Sequence, residues 1–257
     1  MRSALAEVLE LMEGPVRMGG LADPDAPVGA SASVLAPDVR AWVADPEQGV
    51  AATVDSVDGA DATHEVLVRL APSELTVAGA VATDRSCWAE ITRRGNGDPE
   101  TCIVGLTFNA ANLVHRLVLL RAPLVPASAV AEWTSAPCGR PILDAYFDDL
   151  MNSRFREAAA HFSVDSLYSH PPYAGGSERV LFMGREAVWR GFAIERGPSP
   201  ARQVITGLWQ RGDRVFIEGV VEGIPVGGTF VSTAQVSSHG EIARYVAFYS
   251  ARRIPSA

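Results

Sequence analysis

GEIARYVAFYSARRIP, at residues 240–255, alternates apolar side chains with smaller or polar ones and ends on a proline. The same pattern occurs at residues 111–126 as ANLVHRLVLLRAPLVP, where Pro126 stands in the place of Pro255. Alternation with a period of two predicts a β-strand, because successive side chains of a strand point to opposite faces. The two stretches therefore predict one strand that occurs twice in an internal repeat.

Two further matches extend this repeat toward the amino terminus. TVAGAVA at residues 76–82 matches FIEGVVE at 216–222, with Gly79 opposite Gly219, and LAPDVRAW at 35–42 matches FSVDSLYS at 162–169. The alternative is a coincidence of generic strand patterns. The repeat places an abbreviated first copy at residues 1–126 and a second copy at 140–257. Prolines, serine and glycine accumulate between Pro123 and Pro141, and residues 127–139 are predicted to be a linker.

The second copy combines helical and strand patterns in a fixed order. ILDAYFDDLM at residues 142–151, SRFREAAAHF at 153–162 and GREAVWRGFAIERG at 184–197 predict three helices. Four strand-like stretches follow, separated by Gly, Asp or Ser-His-Gly turns. Helices that precede strands indicate an α+β fold, with helices packed on a curved antiparallel sheet whose concave side encloses a pocket.

Composition narrows the class of protein. The chain has 257 residues, 30 acidic against 22 basic side chains and a net charge of −8, which argues against nucleic acid as a partner. It contains no lysine, so lysine Schiff-base chemistry is excluded. Its apolar runs are too short to cross a membrane and its amino terminus does not resemble a signal peptide, so we expect a cytoplasmic protein without a membrane partner. The Ala- and Arg-rich composition is typical of a bacterial protein.

The second copy resembles the family of SnoaL-like polyketide cyclases and ketosteroid isomerases, which share the cone-shaped fold of nuclear transport factor 2. The resemblance rests on YFDDLMNSRFREAAAHFSVDSLYSHP, FMGREAVWRGF and VSSHGEIARYVAFYS, and it covers most of residues 140–255. It implies tandem cone-shaped α+β domains in this chain, the first of them degenerate. It also implies an intrachain pseudo-dimer in which the two sheets pack together, with a homodimer as a further possibility.

The resemblance also implies the first candidate site residues. The tyrosine that donates to the substrate oxygen in the isomerases falls on Tyr146, and the proton-transferring base falls on His170. The second oxyanion acid falls near Ser232, where the chain has no carboxylate. The expected activity is therefore acid–base catalysis by a cyclase, isomerase or hydratase-type enzyme rather than steroid isomerisation itself.

The residues themselves support His170 as the candidate base. A neutral imidazole takes up a proton near physiological pH, and the following Pro171 and Pro172 hold the backbone extended. The alternative for His170 is a surface-turn histidine, and the alternative for Tyr146 is a core residue. Glu218 orients His170 if its strand face lines the cone, and otherwise it is an exposed strand residue.

Seven more side chains are candidates for substrate binding. The large aromatic residues would supply apolar walls, and the two polar ones would each supply one neutral hydrogen bond. These residues are Tyr173, Trp189, Trp209, Phe230, Thr233, Gln235 and Phe248. They predict a hydrophobic, oxygenated small molecule as the ligand.

The first copy and the remaining motifs point to no second site. Val43 matches His170 and Ala78 matches Glu218, so the first copy is predicted to have lost the chemistry. The three cysteines lack metal-ligand spacing, and no phosphate-binding loop is present, so we expect no cofactor and no metal. The preferred hypothesis is a cofactor-independent enzyme of natural-product biosynthesis. The alternative is a non-catalytic ligand-binding or assembly module.

Overall fold

A computed structural model describes residues 34–44, 54–70, 74–94, 98–126, 136–173, 178–224 and 227–256. Most of the predicted linker, residues 127–135, lies outside the described residues. The described chain divides into two compact units, one built from residues 34–43 and 55–124 and the other mainly from residues 125–256. Each unit contains one six-stranded sheet.

The described residues of the first unit form a sheet and one helix. Its elements are β1 (Leu35–Ala44), β2 (Val54–Asp58), α1 (Ala60–Arg69), β3 (Glu74–Ala82), β4 (Ser86–Arg94), β5 (Glu100–Phe108) and β6 (Val114–Pro123). The strand order is β2-β1-β6-β5-β4-β3, and β1 pairs with β6 in parallel. The paired helices that open the second unit have no counterpart among the described residues of the first.

The second unit repeats this order with additional helices. Its elements are α2 (Arg140–Met151), α3 (Phe155–Ala160), β7 (Phe162–His170), β8 (Val180–Met183), α4 (Arg185–Arg190), a π-helical turn (Gly191–Arg196), β9 (Arg202–Arg211), β10 (Arg214–Glu222), β11 (Thr229–Val236) and β12 (Ile242–Ser250). The strand order is β8-β7-β12-β11-β10-β9. The α+β prediction and the three predicted helices are confirmed.

Both sheets are mixed rather than antiparallel throughout. β9 to β12 form antiparallel pairs joined by short turns, whereas β7 pairs with β12 in parallel. Parallel neighbours need a long connection, and the chain between β7 and β12 includes a helix and four strands. The four predicted strands correspond to β9–β12. They did not include β7 and β8, which lie on either side of the His-Pro-Pro turn.

Helix α2 packs its apolar side on one face of the second sheet. Leu143, Tyr146, Phe147 and Leu150 are buried at helical spacing. They form one apolar cluster with side chains of β10 to β12, among them Ile217, Ala234, Tyr245 and Ala247. We call the sheet face that carries these residues the inner face of the second sheet, and the opposite one its outer face.

Strand pairing confirms the tandem organisation and corrects its alignment. Val77 pairs with Ile91 and Gly79 with Glu90, across a bulge in β3. Ile205 pairs with Gly219 and Gly207 with Glu218, across the same bulge in β9. Each residue of the first set lies 128 positions before its counterpart in the second.

The match of TVAGAVA to FIEGVVE is therefore wrong. β3 corresponds to β9, so the counterpart of Glu218 is the buried Glu90 and not Ala78. The match of residues 111–126 to 240–255 is shifted by one position, because Leu35 pairs with Val114 where Phe162 pairs with Ile242. Alternation alone does not fix register, since every strand shares the same period.

Candidate functional site

His170 ends β7 on the inner face of the second sheet, where it lies among tyrosine rings. Its ring stacks on Tyr168 at 6.0 Å and on Tyr173 at 4.8 Å, and it contacts Tyr249 at 5.1 Å, measured between ring centroids. Tyr168 is two residues earlier on the same strand, so alternation places both side chains on one face. His170, Tyr173 and Tyr249 are partly exposed, whereas Tyr168 is buried. The histidine therefore lies at the solvent-accessible edge of an aromatic cluster.

A hydrogen bond to the backbone determines which nitrogen of His170 carries the proton. Nδ1 lies 2.7 Å from the carbonyl oxygen of Pro171. A carbonyl oxygen only accepts, so Nδ1 must be the donor and Nε2 holds the lone pair. Nε2 makes no hydrogen bond to any residue in the described part of the chain. The imidazole is thus oriented as a hydrogen-bond acceptor and a proton acceptor.

The environment keeps this imidazole neutral. Burial disfavours the charged form and lowers the pKa of His170 to about 3, although the hydrogen bond to Pro171 opposes the shift. The guanidinium groups of Arg179 and Arg196 lower the pKa further by charge repulsion. His170 is consequently unprotonated over the whole physiological pH range.

All five tyrosines of the chain lie in one connected group of rings that reaches His170, and three of them contact it directly. We call Tyr146, Tyr168, Tyr173, Tyr245 and Tyr249 the tyrosine cluster. The hydroxyls of Tyr168 and Tyr173 lie 3.0 Å apart, and that of Tyr245 lies 2.8 Å from Ser232 Oγ. Gln203 Nε2 donates to the hydroxyl of Tyr249. The cluster is therefore a hydrogen-bonded network as well as an apolar wall.

Burial keeps these hydroxyls protonated. It raises the pKa of Tyr146, Tyr173 and Tyr245 well above the ordinary value and that of Tyr168 above it, with further contributions from neighbouring tyrosines at the first three. A phenol that stays neutral can donate a hydrogen bond to an oxygen that gains negative charge. Tyr173 and Tyr249 are both partly exposed next to His170, and the ring of Tyr173 is the nearer of the two, at 4.8 Å against 5.1 Å between ring centroids.

Tyr146 lies deeper than the sequence predicted. Its ring packs at 5.2 Å from Phe162, 5.6 Å from Tyr245 and 6.0 Å from Phe192. Its hydroxyl interacts with Tyr168, which in turn contacts Tyr173. The structure thus connects Tyr146 to the His170 position through Tyr168 and does not bring the two predicted residues into direct contact.

Glu218 lies on the other side of the sheet. Its neighbours Ile217 and Gly219 point to the inner face, where Ile217 joins the apolar cluster and Phe230 covers Gly219. Alternation therefore directs Glu218 to the outer face, and the structure does not bring it to His170. Glu218 is buried there rather than exposed, so neither of its two predicted environments describes it. Sequence could not select the face, because both faces of β10 are buried.

The substrate-binding candidates divide between the two faces. Tyr173, Trp189 and Phe230 belong to the inner aromatic cluster or pack against it. Register places four others on the outer face: Trp209, Thr233, Gln235 and Phe248. Gln235 donates to Asp213 at 2.7 Å and thereby holds the turn between β9 and β10, so it is engaged within the fold.

Sequence reasoning missed two residues that form the site with His170, Tyr168 and Tyr245. Both line the inner face together with Tyr249, and Tyr245 pairs directly with Tyr168 across β7 and β12. A signal was present, because Tyr168 precedes His170 by two positions and Tyr245 precedes Tyr249 by four. Same-face spacing on two strands would have grouped them.

The first unit does not reproduce this constellation in its described residues. The register places Leu117 where the second unit has Tyr245, and Val43 and Ala41 in the places of His170 and Tyr168. Arg121 occupies the position of Tyr249, 128 residues earlier. The apolar cluster of the first unit is aliphatic, apart from two buried cysteines, Cys87 and Cys102, and Phe108. We call the sheet face that carries this cluster the inner face of the first sheet.

Two other classes of site concern metal ions and membranes. No three His, Cys, Asp or Glu side chains of the described ranges converge as metal ligands. No helix in that part of the chain is long and apolar enough to cross a membrane. The expectation that the protein needs no cofactor remains a prediction.

Comparisons with known proteins concern the fold. No family model matches the chain, and no curated protein matches it. Among solved structures, a candidate ketosteroid isomerase from Kribbella flavida is 22% identical, covering 46% of this chain and 82% of its own with a TM-score of 0.36. A candidate SnoaL-like polyketide cyclase from Shewanella denitrificans is 11% identical, covering 44% and 90%, with a TM-score of 0.34.

A protein with a ketosteroid isomerase-like fold from Catenulispora acidiphila, in complex with trimethylamine, is 20% identical. It covers 45% of this chain and 88% of its own, with a TM-score of 0.36. These structures are of ketosteroid isomerase-like and SnoaL-like proteins, the groups that the second copy resembles in sequence. Each match spans about half of this chain, and identities of 11–22% relate folds without assigning an activity.

A double-mutant cycle should measure how tightly the network is held. Tyr245→Phe leaves Ser232 Oγ buried without its partner, so we expect a loss of about 1–3 kcal/mol in the free energy of unfolding. Ser232→Ala combined with Tyr245→Phe removes both groups and should cost less than the two single changes added together. Urea unfolding of the four proteins gives the coupling energy, and strict additivity would contradict the hydrogen bond.

Proposed function

We propose that the second unit is a cofactor-independent acid–base catalyst of the cyclase, isomerase or hydratase type, acting on a hydrophobic, oxygenated small molecule. One observation carries the proposal. His170 presents an unprotonated Nε2 at the accessible edge of an aromatic cluster, with its other nitrogen fixed on the Pro171 carbonyl. A fixed tautomer spares the base from reorienting before it takes a proton.

Each group then has a defined role. Nε2 of His170 takes a proton from carbon or oxygen of the ligand, and the hydroxyl of Tyr173 donates to the ligand oxygen that becomes negative. Because Tyr173 gives its single O–H to the ligand, Tyr168 donates to Tyr173 at 3.0 Å, and Tyr146 lies behind Tyr168. These two tyrosines therefore position and polarise the donor without touching the ligand.

The depressed pKa restricts the ligand. A base with a pKa of about 3 is always free but weak, so it suits a proton that a neighbouring carbonyl already makes acidic. The negative charge that forms on the ligand would stabilise the imidazolium in return. An enolisable 1,3-dicarbonyl compound with an aromatic or alicyclic body fits these requirements.

A specific observation favours a second candidate, a ligand-binding module without turnover. Aromatic rings fill the deep part of the cone. The ring of Tyr146 lies 4.9 Å from Phe147, 5.2 Å from Phe162 and 6.0 Å from Phe192, measured between centroids, and Phe162 lies 6.2 Å from Phe192. Such packing leaves the accessible edge at His170 and Tyr173 as the place for a ligand. A ligand bound there could be held by the same groups without reacting.

Deuterium exchange separates the two functions. Incubating the protein in heavy water with a 1,3-diketone that carries an aromatic ring, and following its acidic C–H by proton NMR, reports proton abstraction whatever the natural reaction is. Faster exchange with the wild type than with His170→Phe supports catalysis. Saturable quenching of tryptophan fluorescence without exchange supports the binding module. His239→Phe, at an exposed turn, is the matched control.

A further inference from the structure

The first unit carries a group of three charged residues at one end of its sheet. Arg121 donates to Glu100 twice, from Nε at 3.0 Å and from Nη2 at 2.8 Å. Arg93 Nε lies 3.0 Å from the same carboxylate, and its Nη1 donates to the carbonyl of Leu70 at 2.7 Å. The side chains of Arg93, Arg121 and Glu100 are only 11%, 14% and 16% exposed. We call these residues the arginine triad.

The triad lies on the inner face of the first sheet. Arg121 pairs with Cys102 across β5 and β6, and Cys102 belongs to the apolar cluster of this unit. Burial raises the pKa of the Cys102 thiol to about 12, and the charges of all three triad residues act on it. The triad is therefore the polar end of an otherwise apolar interior.

The internal repeat relates the position of the triad to a position in the second unit. Arg121 occupies the place that Tyr249 holds in the second unit, 128 residues later, where Tyr249 contacts His170. The two units thus present different chemistry at the same end of the same architecture. In the second unit this end carries a neutral base and phenols, and in the first it carries two guanidinium groups and one carboxylate.

The charges of the triad do not balance. Both guanidinium groups are charged at every accessible pH, so one ionised carboxylate leaves a net charge of +1. In the described part of the chain, no second carboxylate contacts these residues. Arg121 donates to both oxygens of Glu100. The buried Nε–H of Arg93 makes no hydrogen bond, although its nitrogen lies 3.0 Å from Glu100 Oε2. One carboxylate therefore does not satisfy two guanidinium groups, although partial burial makes an unbalanced charge costly.

We propose that the arginine triad is a binding site for a small oxyanion, either a carboxylate or a phosphate group of a metabolite. Such an anion accepts hydrogen bonds from the remaining N–H groups of Arg93 and Arg121, and its negative charge neutralises the net charge of +1 on the triad. Guanidinium groups match the paired oxygens of carboxylate and phosphate in geometry as well as charge. The proposal concerns the first unit and does not depend on the function of His170.

Calorimetric titration of the full chain with sodium acetate and with inorganic phosphate, at constant ionic strength, tests this site. We expect saturable binding of at least one anion, and the preferred anion distinguishes a carboxylate ligand from a phosphate ligand. Arg121→Gln should weaken the binding roughly 10- to 100-fold. Arg94→Gln is the matched control, because Arg94 is adjacent in sequence to Arg93 but 62% exposed, and it should bind as the wild type does.

Glu100→Gln provides an independent arm if Arg121→Gln fails to fold. It preserves the shape of the triad and removes its one negative charge, so the net charge of the triad becomes +2. The anion should therefore bind several-fold more tightly. Absence of saturable binding to the wild type would overturn the proposal. Binding that Arg121→Gln leaves unchanged, or that Glu100→Gln fails to tighten, would place the anion elsewhere and would overturn it as well.

Discussion

His170→Phe should lower proton-exchange turnover in the second unit by about 10²–10⁴-fold, the usual contribution of a positioned general base. Phenylalanine keeps a planar ring for stacking on Tyr168 and Tyr173, so the fold should persist. It removes the lone pair of Nε2, which is the group that takes the proton. Exchange of a 1,3-diketone, followed by NMR at saturating concentration, measures the effect on kcat separately from that on KM.

Tyr173→Phe provides the companion measurement. It removes the hydroxyl that donates to the ligand oxygen and leaves His170 in place, so kcat should fall while the pH dependence stays that of the wild type. Removing one donor to an oxyanion typically costs about 10²–10³-fold in kcat. An exchange rate that neither substitution changes would show that the aromatic edge at His170 is not the catalytic site.

Acid should destabilise the wild type more than it destabilises His170→Phe. The pKa of His170 is about 3 in the folded protein and near 6.5 when the chain unfolds, so between these values the unfolded state binds more protons. Lowering the pH through this window therefore favours unfolding. At pH 4.5 the wild type should have lost about 3 kcal/mol relative to its stability at pH 7.5, beyond the loss seen in His170→Phe.

Urea unfolding of both proteins at the two pH values measures this difference. Carboxylates such as Asp149 titrate in both proteins and cancel in the comparison. His239→Phe, which removes an exposed histidine, should follow the wild type closely. A stability difference between wild type and His170→Phe that does not change with pH would mean that His170 is solvated in the folded protein.

The repeated strands could be predicted from sequence because they depend on local chemistry. Alternation at residues 240–255 and 111–126 gave β12 and β6, and apolar side chains at helical spacing gave α2. The exact alignment of the two copies could not be predicted. Bulges in β3 and β9 shift the pairing within each sheet, and their positions depend on contacts between strands rather than on composition.

The site was only partly predictable for a related reason. His170 precedes two prolines, and that local feature singled it out. The choice of sheet face depended on where α2 packs, and β11 is buried along both faces, so hydrophobicity did not distinguish them. Glu218, Thr233 and Gln235 were assigned to the cone for this reason, while Tyr168 and Tyr245 were overlooked. The charge imbalance at Glu100 could not be predicted from sequence either, because its partners Arg93 and Arg121 lie on the two neighbouring strands.

Nitrogen NMR of the imidazole rings reports directly whether His170 is an oriented, neutral base. Comparing ¹⁵N-labelled wild type with His170→Phe assigns the two ring nitrogens of His170. We expect a neutral ring at every pH from about 5 to 8, with the proton on Nδ1 and the lone pair on Nε2. A ring that titrates near its ordinary pKa of about 6.5, or one that carries its proton on Nε2, would contradict the assignment of His170 as an oriented base.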